Sequence, residues 1–372
     1  MKKKIHKKIT CSRTSCGKAL LSLALVAFFL TANLNIMAFG VTATSHAKKK
    51  PRLPTVTLRQ VTTPVRSLKV AEKHFQEIIM DFKKGRKLLE ESPLAKKGDQ
   101  YGVKILKLRR AKYHPADPGL IMKIKLELPG RKNVSAIFKP FQTRYRDGLK
   151  ELAACNLASF LGIRQPACGE RVMTREQSSH ALKKIPKRYQ KMLNWEDDKV
   201  RGFVRLWADR YKPRIGRLAP SRENMLALSK QIRPRGRCNK HQICRDMSDL
   251  LLFDFLVSNN DRQYNVGTML TSPKILMLYP IDWGDSFTGT AEQMKKKVWY
   301  RKAFYSLVRF RSTLIETLKR LDRPKVNELT SDAKGSALIS TFHRERIMEK
   351  RDTILKRVED LESRYGRKIF FP

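Results

Sequence analysis

Residues 250–287 read LLLFDFLVSNNDRQYNVGTMLTSPKILMLYPIDWGDSF. The apolar run from Met247 to Val257 has the length and density of a buried helix, and Ile275 to Ile281 those of a buried strand. Asp261 closes the first run and opens a polar loop that contains Asn265. Asp282 follows the second run and stands two residues before Gly284. Two carboxylates 21 positions apart, each leaving an apolar element, with an amide just after the first, form the set that phosphoryl transfer requires. One carboxylate orients an acceptor hydroxyl, and the amide and second carboxylate hold metal on phosphates. Taken one at a time, each residue has a plainer reading as a helix-ending or turn residue that bonds its own backbone.

Upstream, Lys139 lies within the apolar strand segment Ala136-Ile137-Phe138-Lys139-Pro140. A lysine there is costly unless its ammonium reaches an anion. Glu151 falls near the start of the next helical stretch, Gly148 to Leu161. A strand lysine paired with a helix glutamate puts a cation on nucleotide phosphates. The plainer alternatives are a lysine snorkelling at a sheet edge and an acid favoured by a helix start.

Around these residues the pattern is β-rich first and helical later. Val103–Arg109, Gly119–Leu128 and Val134–Phe141 read as an antiparallel meander, with turn residues Pro129 to Asn133 between the last two. Asn133-Val134-Ser135 is a glycosylation sequon at that turn. Val70–Glu91 has helical spacing, 174–200 is polar and reads as an insertion or long loop, and Phe203–Trp207 reads as a short strand. Ala303–Leu321 and Ser336–Tyr365 read as amphipathic helices.

The chain has 372 residues, 41% of them hydrophobic, enough for one bilobal domain or two ordinary ones. Its 79 basic against 34 acidic residues leave a formal charge of +45, which favours acidic partners. Residues 1–18 are basic, and Ala19–Val41 is an uncharged run long enough to cross a bilayer as a helix. The basic flank places the rest of the chain in the lumen or outside. A cleaved signal peptide ending near Ser45-His46-Ala47 is the competing reading. Either address directs the bulk of the chain into the secretory route and argues against nucleic acid as the partner. Cys238 and Cys244 are close enough in sequence for a local disulfide in an oxidising lumen. With His241 they also offer three metal ligands, but no fourth is near. Walker, dinucleotide-binding, HExxH and Gly-x-Ser-x-Gly patterns are absent from the sequence.

Three blocks resemble the secretory-pathway kinases of the four-jointed, Golgi casein kinase and Golgi-associated kinase type. They are Ala136–Pro140, Lys150–Ala154 running to Leu161-Gly162, and Met247–Phe287 with its Ile281-Asp282-Trp283-Gly284 turn. The resemblance spans roughly residues 100–365. It implies an α+β, bilobal protein-kinase-like fold with a small β-rich N-lobe and a helical C-lobe, preceded by a transmembrane anchor and stalk. The corresponding divisions are a cytoplasmic basic tail (1–18), a signal anchor (19–41), a stalk (42–69), an N-lobe with N-terminal helix and insertion (70–205), and a C-lobe (206–372).

The resemblance further implies ATP with Mn²⁺ or Mg²⁺, and transfer of the γ-phosphate to Ser or Thr of secreted or extracellular-domain proteins from the Golgi lumen. Lys139 would contact the nucleotide phosphates and Glu151 would anchor it. Asp261 would be the catalytic base, and Asp282 and Asn265 would hold metal. The basic surface would take acidic protein substrates or sulfated glycans. This sequence departs from the pattern in three places. Asn265 follows Asp261 by four positions where related folds often use five, Trp283 replaces a common Asn, and no clear second acid accompanies Glu151 in the Arg146-Asp147 region. A catalytically weak or inactive pseudokinase that binds glycan or protein is therefore the alternative.

Overall fold

The computed structural model describes residues 56–62, 81–109, 119–128, 131–142, 147–207, 215, 217–234, 236–272, 275–287 and 299–371. The expected basic tail, anchor and most of the stalk lie outside them, as do Phe75, Ile78 and Ile79 of the expected first helix. Among the described residues no helix is long and apolar enough to cross a membrane.

The described helices are α1 (Leu58–Thr62), α2 (Phe82–Glu91), α3 (Asp147–Phe160), α4 (Arg175–Leu182), α5 (Lys187–Gln190), α6 (Arg222–Ser229), α7 (Gln242–Val257), α8 (Trp299–Ser306), α9 (Ser312–Lys319), α10 (Arg323–Leu329) and α11 (Thr341–Tyr365). The strands are β1 (Lys96–Lys97), β2 (Gln100–Tyr101), β3 (Val103–Arg109), β4 (Gly119–Leu128), β5 (Arg131–Pro140), β6 (Cys168–Thr174), β7 (Trp195–Glu196), β8 (Lys199–Leu206), β9 (Val266–Ser272) and β10 (Ile275–Pro280). An antiparallel sheet runs β3-β4-β5-β8-β6, with β7 on β8, and β9-β10 form a separate hairpin. β5 is an inner strand, and Lys139 lies opposite Phe203 of β8.

Two apolar clusters form the core, and strand alternation divides side chains between them. β10 gives Met277 and Tyr279 to the smaller cluster, where they meet Met122, Ile124, Ala136 and Phe138. It gives Leu276 and Leu278 to the larger cluster with Leu152, Phe253, Phe304 and Ile354. β8 does the same with Val204 and Phe203. The residue leaving β10, Asp282, is thereby delivered to the junction of the two clusters.

Several expected elements differ from those observed. The polar stretch 174–200 is ordered: Thr174 and Gln177 form a reciprocal capping box on α4, and α5, β7 and the start of β8 follow. The expected helix Ala303–Leu321 is two helices, because Phe310 leaves the helical path to pair its backbone with Ile369 and Phe371. The expected helix from Ser336 begins at Thr341 and is preceded by α10, which Asp322 caps with Pro in its first turn. The loop after Asp261 also contains a strand, β9, paired along the length of β10. Cys238 is bonded to Cys244 and Cys155 to Cys168. The first bond removes both thiolates from the zinc reading. Asn133 of the sequon is exposed near the start of β5.

Candidate active site

Lys139 reaches the site because β5 alternates. Ala136 and Phe138 enter the smaller cluster, so Lys139 turns to the other face, where it is only 4% exposed. Two glycines let other backbone close around it. A Cβ at Gly202 of β8 would stand 2.6 Å from the Lys139 carbonyl oxygen, and one at Gly148 of α3 would stand 3.0 Å from it. The helix can therefore start against the strand, which places Glu151 one turn further on in a fully buried position.

Lys139 Nζ donates to Glu151 Oε1 and to Asp282 Oδ1, the latter at 3.2 Å. Asp282 has a left-handed backbone, φ 58°, and its Oδ1 also accepts from Gly284 N at 3.2 Å. A non-glycine residue in that region costs about 1–3 kcal/mol and is often found where a side chain must be aimed. Burial raises the Glu151 carboxyl to about 8, against the pull of Lys139. Burial also works against charge on Lys139, but Asp282 and Glu151 outweigh it and leave its pKa above the ordinary value. The geometry supports a retained ammonium, since two carboxylate oxygens face Nζ.

Asp261 and Asn265 form a second set. α7 ends at Ser258, φ 59°, with Asn259 N donating to Asp254 O at 2.9 Å. Asn265 Nδ2 donates to Asp261 Oδ2 at 3.0 Å and to its carbonyl oxygen at 3.1 Å. The four-residue spacing thus closes a tight loop in which the amide orients the carboxylate. The two sets are joined through backbone, because Ile281 N donates to Asn265 O at 2.9 Å.

Sequence reasoning missed the residue that holds this junction. Arg262 is fully buried and pairs with Asp254 through Nε and Nη2. Its Nη1 donates to Asn265 O at 2.7 Å and to Ile281 O at 3.0 Å. The guanidinium also lies 4.0 Å from the Trp283 ring centre. Trp283 is itself buried, edge-on to Phe253 at 4.7 Å. The bulk of Trp283 is thereby accommodated in the larger cluster. The available signal was Asp254, a carboxylate inside an apolar helix that had to find a cation.

Asp147, in the region where the sequence offers no clear second acid beside Glu151, lies close to the Asp282 turn. A Cβ at Gly284 would lie 3.1 Å from Asp147 Oδ2 and 3.1 Å from Asp282 Oδ1, so the two oxygens are separated by at most twice that distance. Among the described residues no group of three or more His, Cys, Asp and Glu is arranged to hold a metal ion by itself. The residues present nevertheless fit a divalent ion shared with phosphate. Glu151 Oε2 is buried without a hydrogen-bond partner, and the notch at Gly284 lies between two carboxylates. Mg²⁺-type sites commonly use one or two carboxylates and complete their shell with phosphate oxygens and water.

No family model matches the chain, and no curated protein does. Among solved structures, the structure of hydra Fam20 with sugar aligns with TM-score 0.53 and 16% identity, over 84% of this chain and 96% of that one. The Golgi casein kinase aligns with TM-score 0.50 and 13% identity, over 81% and 80%. A structure of the Golgi casein kinase with Mn/ADP bound aligns with TM-score 0.49 and 13% identity, over 77% of each chain. The chain therefore has a kinase-like fold of mixed helices and sheets, similar to that of hydra Fam20 and the Golgi casein kinase.

Proposed function

We propose that this chain is a secretory-pathway kinase acting in the Golgi lumen, which transfers the γ-phosphate of ATP to Ser or Thr of secreted or extracellular-domain proteins. The observation that carries the reading is the position of Lys139, whose Nζ meets both Glu151 and Asp282 at the junction of the two apolar clusters. An ammonium fixed between a helix carboxylate and a turn carboxylate is positioned to bind phosphate oxygens.

Asp261 accepts the acceptor hydroxyl's proton at Oδ1 or Oδ2, while Asn265 holds the carboxylate in orientation. Lys139 neutralises phosphate charge, and Glu151 keeps Lys139 from folding back onto solvent. Asp282, with Asn265 beside it in the backbone ladder, would hold Mn²⁺ or Mg²⁺. When bound, the divalent ion would neutralise charge on the phosphate oxygens. The net charge of +45 suits acidic acceptors and raises their rate of encounter.

The test is phosphorylation of an acidic Ser/Thr acceptor by the purified full chain with ATP and Mn²⁺. Phosphotransfer unchanged by Asp282→Ala would overturn the metal assignment.

The same charge supports a second reading, a kinase-fold module that binds sulfated glycan or acidic protein without catalysis. A thermal-shift measurement separates the two. Stabilisation by nucleotide with metal supports the enzyme, whereas salt-sensitive stabilisation by heparin alone supports the module.

A further inference from the structure

We propose that Arg205 is a second cationic contact for the phosphate chain of the nucleotide, standing beside Lys139 on the same face of the sheet. The proposal rests on the nucleotide-site reading above and adds to it a residue outside the three motif blocks.

Three observations carry it. The first is register. Lys139 of β5 lies opposite Phe203 of β8, and Arg205 follows Phe203 by two positions. Residues two apart along a strand share a face, as do residues directly opposite each other. Arg205 and Lys139 are therefore diagonal neighbours, about 7–8 Å apart at the backbone. The second is electrostatic proximity. The charge on Arg205 acts on both Lys139 and Glu151, opposing the proton on each. The guanidinium is thus close to the pair that forms the proposed site. The third is an unmet demand for acceptors. Arg205 is 7% exposed, between Ile137 of β5 and Cys168 of β6. Its Nε and Nη1 are buried, and among the described residues neither has a hydrogen-bond partner. A buried charged donor without an acceptor costs more than a neutral one. A guanidinium is also the side chain whose planar fork matches phosphate oxygens. Phosphates held at Lys139 would supply the missing acceptors.

The simpler role for Arg205 is a counter-charge for Glu151. That role predicts a direct bond between them, yet Glu151 Oε2 and both Arg205 nitrogens are without hydrogen-bond partners. It also predicts that substitution lowers stability without discriminating among ligands.

The experiment displaces a fluorescent ADP analogue from the full chain with ADP, inorganic tripolyphosphate or adenosine. Mg²⁺ is held constant, and raised salt screens the basic surface. Arg205→Met should weaken ADP and tripolyphosphate by about tenfold or more and leave adenosine unchanged. Arg205→Lys keeps a buried cation, so it protects the fold if the first variant fails. It should still weaken both phosphate ligands, because an ammonium lacks the planar fork. Unchanged tripolyphosphate affinity in every folded variant would overturn the assignment, and so would equal weakening of all three ligands. If Lys139→Met weakens ADP while the Arg205 variants do not, only the Arg205 assignment falls. Failure of the wild type to bind the ADP analogue would overturn both readings.

Discussion

Arg262 donates to Asp254 through Nε and Nη2, and neither side chain has exposed surface. The same guanidinium bonds the carbonyl oxygens of Asn265 and Ile281, so one buried cation fixes both the loop carrying Asp261 and the turn carrying Asp282. Removing one partner leaves the other charge buried and uncompensated. Arg262→Met should therefore lower stability by about 3–5 kcal/mol, read as a reduced urea midpoint. Arg262→Lys should recover little of the loss, because an ammonium cannot reproduce the fork that serves Asp254 and two carbonyls at once.

Lys139 and Asp261 should fail in different ways if they act as proposed. Asp261→Asn keeps the loop bonded but removes the proton acceptor, so kcat should fall by about 10²–10⁴ with nucleotide affinity unchanged. Lys139→Met should weaken nucleotide binding as well. Single-turnover kinetics beside equilibrium nucleotide binding would distinguish the two patterns. Equal effects of both variants on binding would show that Asp261 contributes to holding the nucleotide.

Some of the proposed site's polar residues stood out in the sequence because they stand in or directly after an apolar run that a stray charge would not tolerate, whereas Asp261 and Asn265 lie in a polar loop. Lys139 in its strand and Asp282 after its strand are such residues. The order of a β-rich part before a helical part was legible from periodicity. Contacts that depend on the tertiary path were not. Arg262 reads as one more basic residue in a chain with 79 of them, and only the fold places it on Asp254. Asp147 reads as a helix-start acid until Gly284 is brought beside it. The order of 174–200 was hidden because its short helices are held by caps and turns rather than by a long apolar stripe.

Gly202 is a steric requirement of the Lys139 strand. A Cβ there would stand 2.6 Å from the Lys139 carbonyl oxygen and 2.6 Å from Phe138 Cζ. The first contact is with backbone and cannot yield by a rotamer change. Gly202→Ala should therefore cost about 1–3 kcal/mol and displace Lys139. Loss of nucleotide-dependent thermal stabilisation, beyond the fall in the midpoint itself, is the expected readout.

The two disulfides close loops of different length. Cys155–Cys168 spans 13 residues and ties α3, the helix that carries Glu151, to β6, whereas Cys238–Cys244 spans 6. Chain entropy then assigns about 2.9 kcal/mol to the first and about 2.2 kcal/mol to the second. Replacing Cys155 and Cys168 together by Ala should lower the midpoint more than replacing Cys238 and Cys244. The α3 pair should also reduce nucleotide affinity, because it anchors the far end of the Glu151 helix.

Lys350 provides a pH-dependent test of the larger cluster. It is 6% exposed, and its Nζ donates to Phe255 O at 2.8 Å and to Ser258 Oγ, with the Phe255 and Tyr300 ring centres at 5.3 and 5.2 Å. Burial lowers its pKa to about 7 from the ordinary 10.5, with Arg346 and Arg301 adding to the effect and Glu349 opposing it. Between those two values the unfolded chain holds a proton that the folded chain lacks, so the Lys350 contribution to stability rises with pH across that window. Below about 7 both states are protonated, and the full cost is present and constant. Lys350→Met removes this titration. The midpoint of the variant minus that of the wild type should therefore be greatest below pH 7 and fall steadily toward pH 10. A difference that stays flat from pH 6 to 10 would show that Lys350 remains charged in the folded protein, with Phe255 O and Ser258 supplying enough stabilisation to keep its proton.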